Sequence, residues 1–228
     1  MKVFIQARMS SSRLPGKVLT NIRNDENTLD LIIGKLKKIF SIKNIVILTS
    51  KQRRDDKIAE YCKKKNINIF RGPLNNVGLR YFLALKNCSV KYFMRLSADS
   101  PLIDKKIILK LKNFKNLKKY DIITNVCPRS FPKGQSVEIV STKIYEENFK
   151  FFEKNDLEHV TSFFYKNKEK FRIKNFKNEI NFSSHSVALD TKKDLLKIKK
   201  LFLDFKDCHE YSFKKILNCM KKLKYEKN

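Results

Sequence analysis

Short apolar runs alternate with segments of helical periodicity along the first half of the chain. The strand-like runs are residues 2–6, 44–49, 67–70, 92–96 and 121–124. The helical patterns between them are residues 29–40, 56–65, 77–86 and 105–114, and Thr28 is the expected N-cap of the first. This alternation predicts an α/β fold in which a mostly parallel, mixed sheet carries helices on both faces.

The second half has a more varied pattern. Residues 136–141 alternate like an exposed edge strand, and further strand-like runs are residues 171–176 and 187–189. The helical patterns are residues 143–152, 157–166, 193–205 and 212–223. Because no linker or low-complexity segment separates the two halves, a chain of 228 residues predicts one domain.

Proline and glycine are scarce, and their positions are informative. All five prolines and three of the five glycines fall in predicted connections: Pro15, Pro73, Pro101, Pro128, Pro132, Gly16, Gly72 and Gly134. These connections follow strands that end near residues 6, 70, 96 and 124. Ligands of open α/β sheets bind outside the carboxyl ends of the strands. The sequence therefore predicts a functional site at this edge of the sheet.

The chain is strongly basic, with 51 lysines and arginines against 23 acidic residues and a net charge of +28. Forty-one of these cations are lysines, and they are spread over most segments. Proteins that read nucleic acids concentrate charge on one element and favour arginine. We therefore expect no specific nucleic-acid partner, although a basic nucleic-acid-binding protein remains an alternative. A positive field also favours an acidic small substrate such as a nucleotide.

No apolar run approaches the ~18 residues that are needed to span a bilayer. The first predicted strand begins at residue 2, with no signal-peptide pattern ahead of it. The sequence thus predicts no membrane association, and we expect a cytoplasmic protein.

A polar, basic loop follows the first strand directly, at residues 7–17. Its backbone N–H groups can cradle phosphate oxygens while Arg8, Arg13 and Lys17 neutralise their charge. A P-loop would need glycine where this chain has Ser11, and serine or threonine where it has Val18. The P-loop pattern is therefore excluded, and a solvated basic loop is the remaining alternative.

Two aspartates follow other predicted strands. Asp99 follows the strand at 92–96, and Asp190 follows the run at 187–189. Mg²⁺ takes one or two protein carboxylates together with phosphate oxygens, so the pair is a candidate metal site. A turn or N-cap role is the alternative for both, and Asp104 fits the N-cap of the helix that begins at Lys105.

Five segments, in this order, carry a family resemblance: ARMSSSRLPGKVL, RLSADSPLID, RSFPKGQSVEI, EHVT and LDTKKDL. Together they resemble the cytidylyltransferase family over about residues 3–205. The match is closest to the branch of spore-coat polysaccharide biosynthesis, which is related to the enzymes that activate 3-deoxy-manno-octulosonate and acylneuraminate. The resemblance implies a single-domain nucleotide-diphosphosugar transferase fold, GT-A-like and Rossmann-like. Residues 1–125 would bind the nucleotide, and residues 126–228 would bind the acceptor and close the site.

The resemblance also implies the reaction of CTP with a sugar or sugar acid to give a CMP-sugar and diphosphate, for surface polysaccharide or glycan synthesis. It implies Mg²⁺ as the cofactor, with Mn²⁺ as the alternative, and a homodimer. A metal-dependent glycosyltransferase of the same fold and a non-catalytic relative are alternative interpretations.

The implied roles can be assigned residue by residue. Nucleotide binding falls to Ala7, Arg8, Met9, Arg13, Lys17, Arg80 and Ser97. The implied catalytic residues are Arg13, Lys17 and Asp99, and the implied metal ligands are Asp99 and Asp190. Acceptor binding falls to Arg129, Lys133, Gln135, Glu138 and His159. The chain departs from the family pattern mainly on the acceptor side, for example with lysine at position 133.

Overall fold

The structure of the protein is a computed structural model and describes residues 1–205, 207 and 210–225. The strands are β1 (Lys2–Gln6), β2 (Asn21–Arg23), β3 (Glu26–Asn27), β4 (Ile45–Ser50), β5 (Asn68–Gly72), β6 (Tyr92–Ser97), β7 (Ile122–Thr124), β8 (Glu138–Ser141) and β9 (Ile173–Asn175). The α-helices are α1 (Thr28–Lys37), α2 (Asp56–Lys64), α3 (Val77–Lys86), α4 (Lys105–Lys112), α5 (Thr142–Asn148), α6 (Lys154–Glu158), α7 (Ser162–Lys166), α8 (Lys192–Asp204) and α9 (Phe213–Tyr225).

Within the described residues, seven strands form one sheet in the order β5-β4-β1-β6-β8-β7-β9. β1 is parallel to β4 and β6, and β4 is parallel to β5. β8 is antiparallel to both of its neighbours, β6 and β7. The carboxyl ends of β5, β4, β1, β6 and β7 therefore lie at one edge. The predicted mostly parallel, mixed sheet is confirmed.

Helices cover both faces of the sheet because neighbouring strand residues point to opposite sides. Val3 and Ile5 of β1 belong to the apolar core that α1, α4, α8 and α9 complete. Phe4, between them, belongs to a second core that is completed by α3, α5 and α7. None of the helices in the described residues combines the length and apolar character needed to cross a membrane.

The expectation of an exposed edge strand at 136–141 is wrong. β8 lies between β6 and β7, and its residues Ile139 and Val140 are fully buried. The alternating pattern arises because Glu138, although polar, is also buried and forms an ion pair with Arg95 of β6. A buried ion pair thus gives the strand the sequence pattern of a solvated edge.

Some other local predictions also need correction. Asn27, not Thr28, is the N-cap of α1, because its side chain accepts from the Asp30 N–H while the Thr28 hydroxyl donates to the Lys17 carbonyl. The run at 187–189 forms no strand; an isolated bridge joins Ser186 to Lys133 instead. The hairpin of β2 and β3 is too short to give a periodic signal.

The predicted helix at 157–166 is interrupted, and the interruption shapes the site edge. α6 ends at Glu158 and α7 begins at Ser162, with His159 as the C-cap residue of α6. The Ser162 hydroxyl stabilises this break, because its oxygen lies 2.6 Å from Asp156 Oδ1 and 2.7 Å from the His159 carbonyl oxygen. The predicted N-cap role of Asp104 is confirmed, because its Oδ1 accepts from the Lys106 N–H at 2.8 Å.

Candidate active site

The loop after β1 is closed by backbone hydrogen bonds. The Ala7 N–H donates to the Leu48 carbonyl at 3.0 Å, which continues the sheet by one residue. The Gly16 N–H donates to the Met9 carbonyl at 2.9 Å. Gly16 has φ +76°, a left-handed conformation that glycine adopts without steric cost. The Pro-Gly turn therefore returns the chain to the position of Met9 and brings Lys17 back beside the sheet.

A buried aspartate after β4 anchors the same loop. Asp55 Oδ1 accepts from the Met9 N–H at 2.7 Å, and Asp55 Oδ2 accepts from the N–H and the hydroxyl of Ser50. The sequence did not indicate a role for Asp55, because an aspartate just before a helix is usually interpreted as an N-cap. Its partner Met9 lies far away in the chain, so no local pattern indicates the contact.

The loop offers unused hydrogen-bond donors. Within residues 1–205, 207 and 210–225, nothing accepts from the backbone N–H groups of Arg8, Ser12 and Arg13. The exposed Arg8 guanidinium likewise has no partner in this part of the chain. Free amides next to arginines are typical of a surface that binds phosphate oxygens.

Lys17 joins the two candidate metal ligands. Its Nζ lies 2.8 Å from Asp190 Oδ1 and 3.4 Å from Asp99 Oδ2. Arg13 contacts the other Asp190 oxygen at 3.2 Å. Two carboxylates and two cations, predicted from three separate segments, thus meet at one point of the sheet edge.

Backbone contacts bring Asp190 to Asp99. The Leu189 N–H donates to the Asp99 carbonyl at 2.8 Å. Earlier in the same segment, the Val187 N–H donates to the Lys133 carbonyl and the Lys133 N–H to the His185 carbonyl, both at 2.9 Å. The segment at 185–190 therefore lies across the sheet edge as an extended strap, which holds the Asp190 carboxylate at the site.

The strap packs closely on Gly134. Its φ is +88°, and a Cβ at this position would lie 2.7 Å from the Ala188 nitrogen. We expect Gly134→Ala to lower the free energy of unfolding by about 1–3 kcal/mol, because it combines backbone strain with a backbone clash. Urea unfolding measures this loss.

Gly34→Ala is the matched control for Gly134→Ala. Gly34 lies inside α1 with nothing within 4 Å of the added Cβ, so we expect stabilisation by about 0.5–1 kcal/mol. Equal effects of the two substitutions would contradict the role assigned to the strap.

These elements surround a cavity of about 350 Å³ at the predicted edge. Its lining includes nine of the predicted site residues: Ala7, Arg8, Arg13, Lys17, Arg80, Ser97, Asp99, His159 and Asp190. It also includes residues that were not predicted: Gln6, Ser11, Ser12, Val18, Val77, Ala98 and Glu158. Five predicted residues do not line it: Met9, Arg129, Lys133, Gln135 and Glu138.

Arg80 lines the cavity, but its guanidinium donates hydrogen bonds to backbone carbonyls in the connection after β5. Its guanidinium donates to the carbonyls of Pro73, at 2.6 and 3.0 Å, and Leu74, at 3.0 Å. Gly72 leaves room for this arrangement, because a Cβ there would lie 2.8 Å from Arg80 Cγ. Burial lowers the pKa of Arg80, partly opposed by Tyr81 and Asp55. Arg80 thus shapes the connection after β5.

Met9 and Gln135 are used in building the scaffold. Met9 lies on the outer side of the loop, where its methyl group would contact a side chain at position 16 at 3.4 Å. Gln135 is fully buried, with its Nε2 donating to the Leu102 carbonyl and its Oε1 accepting from the Asp104 N–H, both at 2.8 Å. Gln135 therefore fixes the connection that carries Asp99.

The remaining three predicted acceptor residues that do not line the cavity are Glu138, Arg129 and Lys133. Glu138, 1% exposed, accepts from Arg95 and, at 2.7 Å, from the Thr161 hydroxyl. Arg129 donates to the Ser136 hydroxyl at 3.0 Å. Lys133 is exposed, and its backbone holds the strap. Their predicted acceptor roles stay predictions.

The ion pairs keep Asp190 charged. Partial burial alone would raise the pKa of Asp190, but the hydrogen bond and charge of Lys17, together with Arg13, outweigh it. The pKa of Asp190 therefore lies below its usual range, and the carboxylate is ionised at neutral pH. An ionised carboxylate is the form that binds a divalent cation.

Comparison with known proteins identifies the family. The cytidylyltransferase family model matches residues 3–228. The chain is a member of the cytidylyltransferase family. The enzyme is accordingly a nucleotidyltransferase, and its sheet and covering helices have the fold that the resemblance implied.

Three relatives illustrate the similarity. A cytidylyltransferase structure from Leptospira borgpetersenii has a TM-score of 0.89 and 31% identity, covering 98% of this chain and 94% of that one. The spore coat polysaccharide biosynthesis protein SpsF of Bacillus subtilis is 28% identical over 208 residues, which are 87% of this chain and 84% of SpsF. CMP:2-keto-3-deoxy-manno-octonic acid synthetase complexed with CTP shares the fold, with a TM-score of 0.65, 14% identity and coverage of 89% and 98%.

The residues present fit a divalent cation that shares its ligands with substrate. Asp99 and Asp190 both direct an oxygen at the same ammonium group, that of Lys17, so they already converge on one positive charge. No group of three or more acidic, histidine or cysteine ligands occurs among the residues that the structure describes. Two carboxylates with phosphate oxygens and water match the usual Mg²⁺ site.

Proposed function

We propose that the enzyme is a Mg²⁺-dependent cytidylyltransferase that converts CTP and a sugar or sugar acid into a CMP-sugar and diphosphate for surface polysaccharide synthesis. The observation that carries the proposal is the convergence of Lys17, Asp99 and Asp190 beside a loop of free amides. The names of SpsF and the octonic acid synthetase support the substrate class. The predicted homodimer and cytoplasmic location stay predictions.

The loop residues bind the nucleotide in this proposal. The free amides of Arg8, Ser12 and Arg13 donate to phosphate oxygens, and the Arg8 guanidinium adds charge. Arg13 and Lys17 then stabilise the departing diphosphate, because cations held beforehand near developing charge lower the barrier. Mg²⁺ held by Asp99 and Asp190 would neutralise phosphate charge when bound.

The acceptor sugar would enter from the side of α6. Glu158 and His159 line the cavity there, both exposed. A hydroxyl of the sugar attacks the α-phosphate in line with the leaving diphosphate. Glu138 and Gln135 act as positioning residues in this proposal, because each one fixes a connection that borders the cavity. Residues 1–125 would thus supply the nucleotide side and residues 126–228 the acceptor side and Asp190.

A thermal-shift panel tests this function without knowledge of the sugar. We expect CTP with Mg²⁺ to raise the melting temperature more than UTP, GTP or ATP does. A ligand at 100 times its Kd stabilises by about 2.7 kcal/mol, which corresponds to roughly 5–10 °C for a chain of this size. Acceptor sugars can then be screened by diphosphate release.

Arg8→Ala and Arg53→Ala form a matched pair for the panel. Arg8 lines the cavity without a partner in the described part of the chain, whereas Arg53 is an exposed arginine outside the cavity. We expect only Arg8→Ala to weaken CTP binding, by about tenfold, as the loss of a charge-assisted hydrogen bond implies. Equal shifts with every nucleotide, abolished by salt, would instead indicate nonspecific anion binding.

A further inference from the structure

Gln6 lines the cavity, although no pattern in the sequence marks it as a site residue. It is the last residue of β1 and is half-buried. Its Oε1 accepts from Arg95 Nε at 3.2 Å and lies 3.5 Å from the Tyr81 hydroxyl. Within the described residues, nothing accepts from its Nε2 amide.

Chemistry fixes the orientation of this amide. A guanidinium has only donors, so the Gln6 atom that faces Arg95 must be the oxygen. Arg95 cannot withdraw, because the buried carboxylate of Glu138 holds it on the other side. Arg95 remains charged, since the attraction of Glu138 outweighs burial and raises its pKa. The two donors of Nε2 are therefore left for a ligand.

The wall around Gln6 suits an uncharged, flat group. Ala7 and Val77 contribute apolar surface, and both are almost fully buried. The guanidinium of Arg80, next to them, is held by the carbonyls of Pro73 and Leu74, which accept from its Nε and from one terminal nitrogen. The cations Arg8, Arg13 and Lys17 belong to the loop instead, and the two metal carboxylates belong to the strap and to the connection after β6. Phosphates favour that charged part, which leaves the base for the part that β1 and α3 line.

We propose that Gln6 is a specificity-determining residue that donates from Nε2 to the N3 and O2 atoms of cytosine. Cytosine presents two acceptors along this edge, whereas uracil presents a hydrogen on N3. UTP would therefore place a donor against a donor whose orientation Arg95 has fixed, which is selection by an unfavourable contact. This inference rests on the proposed function, because it assumes that the cavity binds CTP.

Isothermal titration with CTP and UTP in the presence of Mg²⁺ tests the assignment. For the wild-type enzyme we expect CTP to bind at least about tenfold more tightly, the effect of one unmatched polar contact. Gln6→Met, similar in length and without donors, should bring the CTP:UTP affinity ratio close to one. Gln6→Glu should favour UTP, because one carboxylate oxygen stays on Arg95 and the other accepts from uracil N3–H.

A base analogue keeps the test independent of how the variants fold. 3-Deaza-CTP replaces the N3 acceptor with C–H, so we expect the wild-type enzyme to bind it about tenfold more weakly than CTP. An unchanged CTP:UTP affinity ratio in folded variants, or undiminished binding of 3-deaza-CTP, would overturn the role of Gln6. The proposed function would still stand in that case. If the wild-type enzyme does not bind CTP with Mg²⁺, the proposed function fails as well.

Discussion

Asp99→Asn should lower the rate of diphosphate release by at least about 10²-fold and leave the fold intact. A loss of this size is typical when one preorganised electrostatic group is removed from a polar active site. An asparagine keeps the shape of the side chain but removes the charge that a divalent cation and its bound phosphate require. The Asp99 side chain is 30% exposed, so the loss of its charge disturbs the protein interior little.

The structure explains why stability should not change. Lys17 keeps its shorter contact, with Asp190 at 2.8 Å, when the 3.4 Å contact with Asp99 is lost. The backbone carbonyl of Asp99 still accepts from Leu189, so the strap stays in place. Asp204→Asn, on an exposed part of α8, is the control and should leave the rate unchanged.

The measurement is diphosphate release with CTP, Mg²⁺ and the acceptor found by screening, together with urea unfolding of each variant. We also expect Asp99→Asn to abolish the Mg²⁺-dependent part of the thermal shift with CTP. A near-normal rate in a folded Asp99→Asn enzyme would show that the metal assignment is wrong.

Arg95→Met is expected to have the largest effect on stability, lowering the free energy of unfolding by about 3–5 kcal/mol. The substitution leaves the Glu138 carboxylate buried, with the Thr161 and Tyr165 hydroxyls as donors but without a neutralising charge. Lys143→Met is the matched control. Lys143 and its partner Glu147 are both exposed, at 80% and 55%, so the loss of this pair should cost at most about 1 kcal/mol.

The pH dependence gives this prediction a second readout. Burial would raise the pKa of Glu138, but Arg95 and the hydrogen bonds outweigh it, so the folded-state pKa lies below the usual value of 4.5. The pair therefore stabilises the wild-type enzyme above that value and ceases to do so as pH falls through the folded-state pKa. In Arg95→Met, the charge of Arg95 no longer opposes burial, so the pKa of Glu138 rises and acid relieves the unpaired charge.

The stability difference between wild type and Arg95→Met should thus be largest at neutral pH and shrink as pH falls below about 5. Urea unfolding at several pH values measures it. A difference below about 1 kcal/mol at neutral pH, or one that does not vary with pH, would contradict the assigned pairing.

The sequence by itself determined the strand–helix alternation, the edge at which ligands bind and most of the charged cavity lining. These features are local. Apolar periodicity over five to ten residues sets the elements, and the Pro-Gly turn closes the loop that carries Arg8, Arg13 and Lys17. The five motifs then indicated the family, because they occur in the family's order and the first of them, ARMSSSRLPGKVL, is highly specific.

Only the tertiary structure decided which residues meet across the sheet. β8 enters the centre of the sheet between β6 and β7, and this pairing turns Glu138 from an apparent edge residue into the buried partner of Arg95. Asp55 anchors Met9, and the strap brings Asp190 to Asp99, through backbone contacts between distant segments. Long-range pairing leaves no period in the sequence, so the orientation of Gln6 and the position of Asp190 follow only from hydrogen bonds between distant segments.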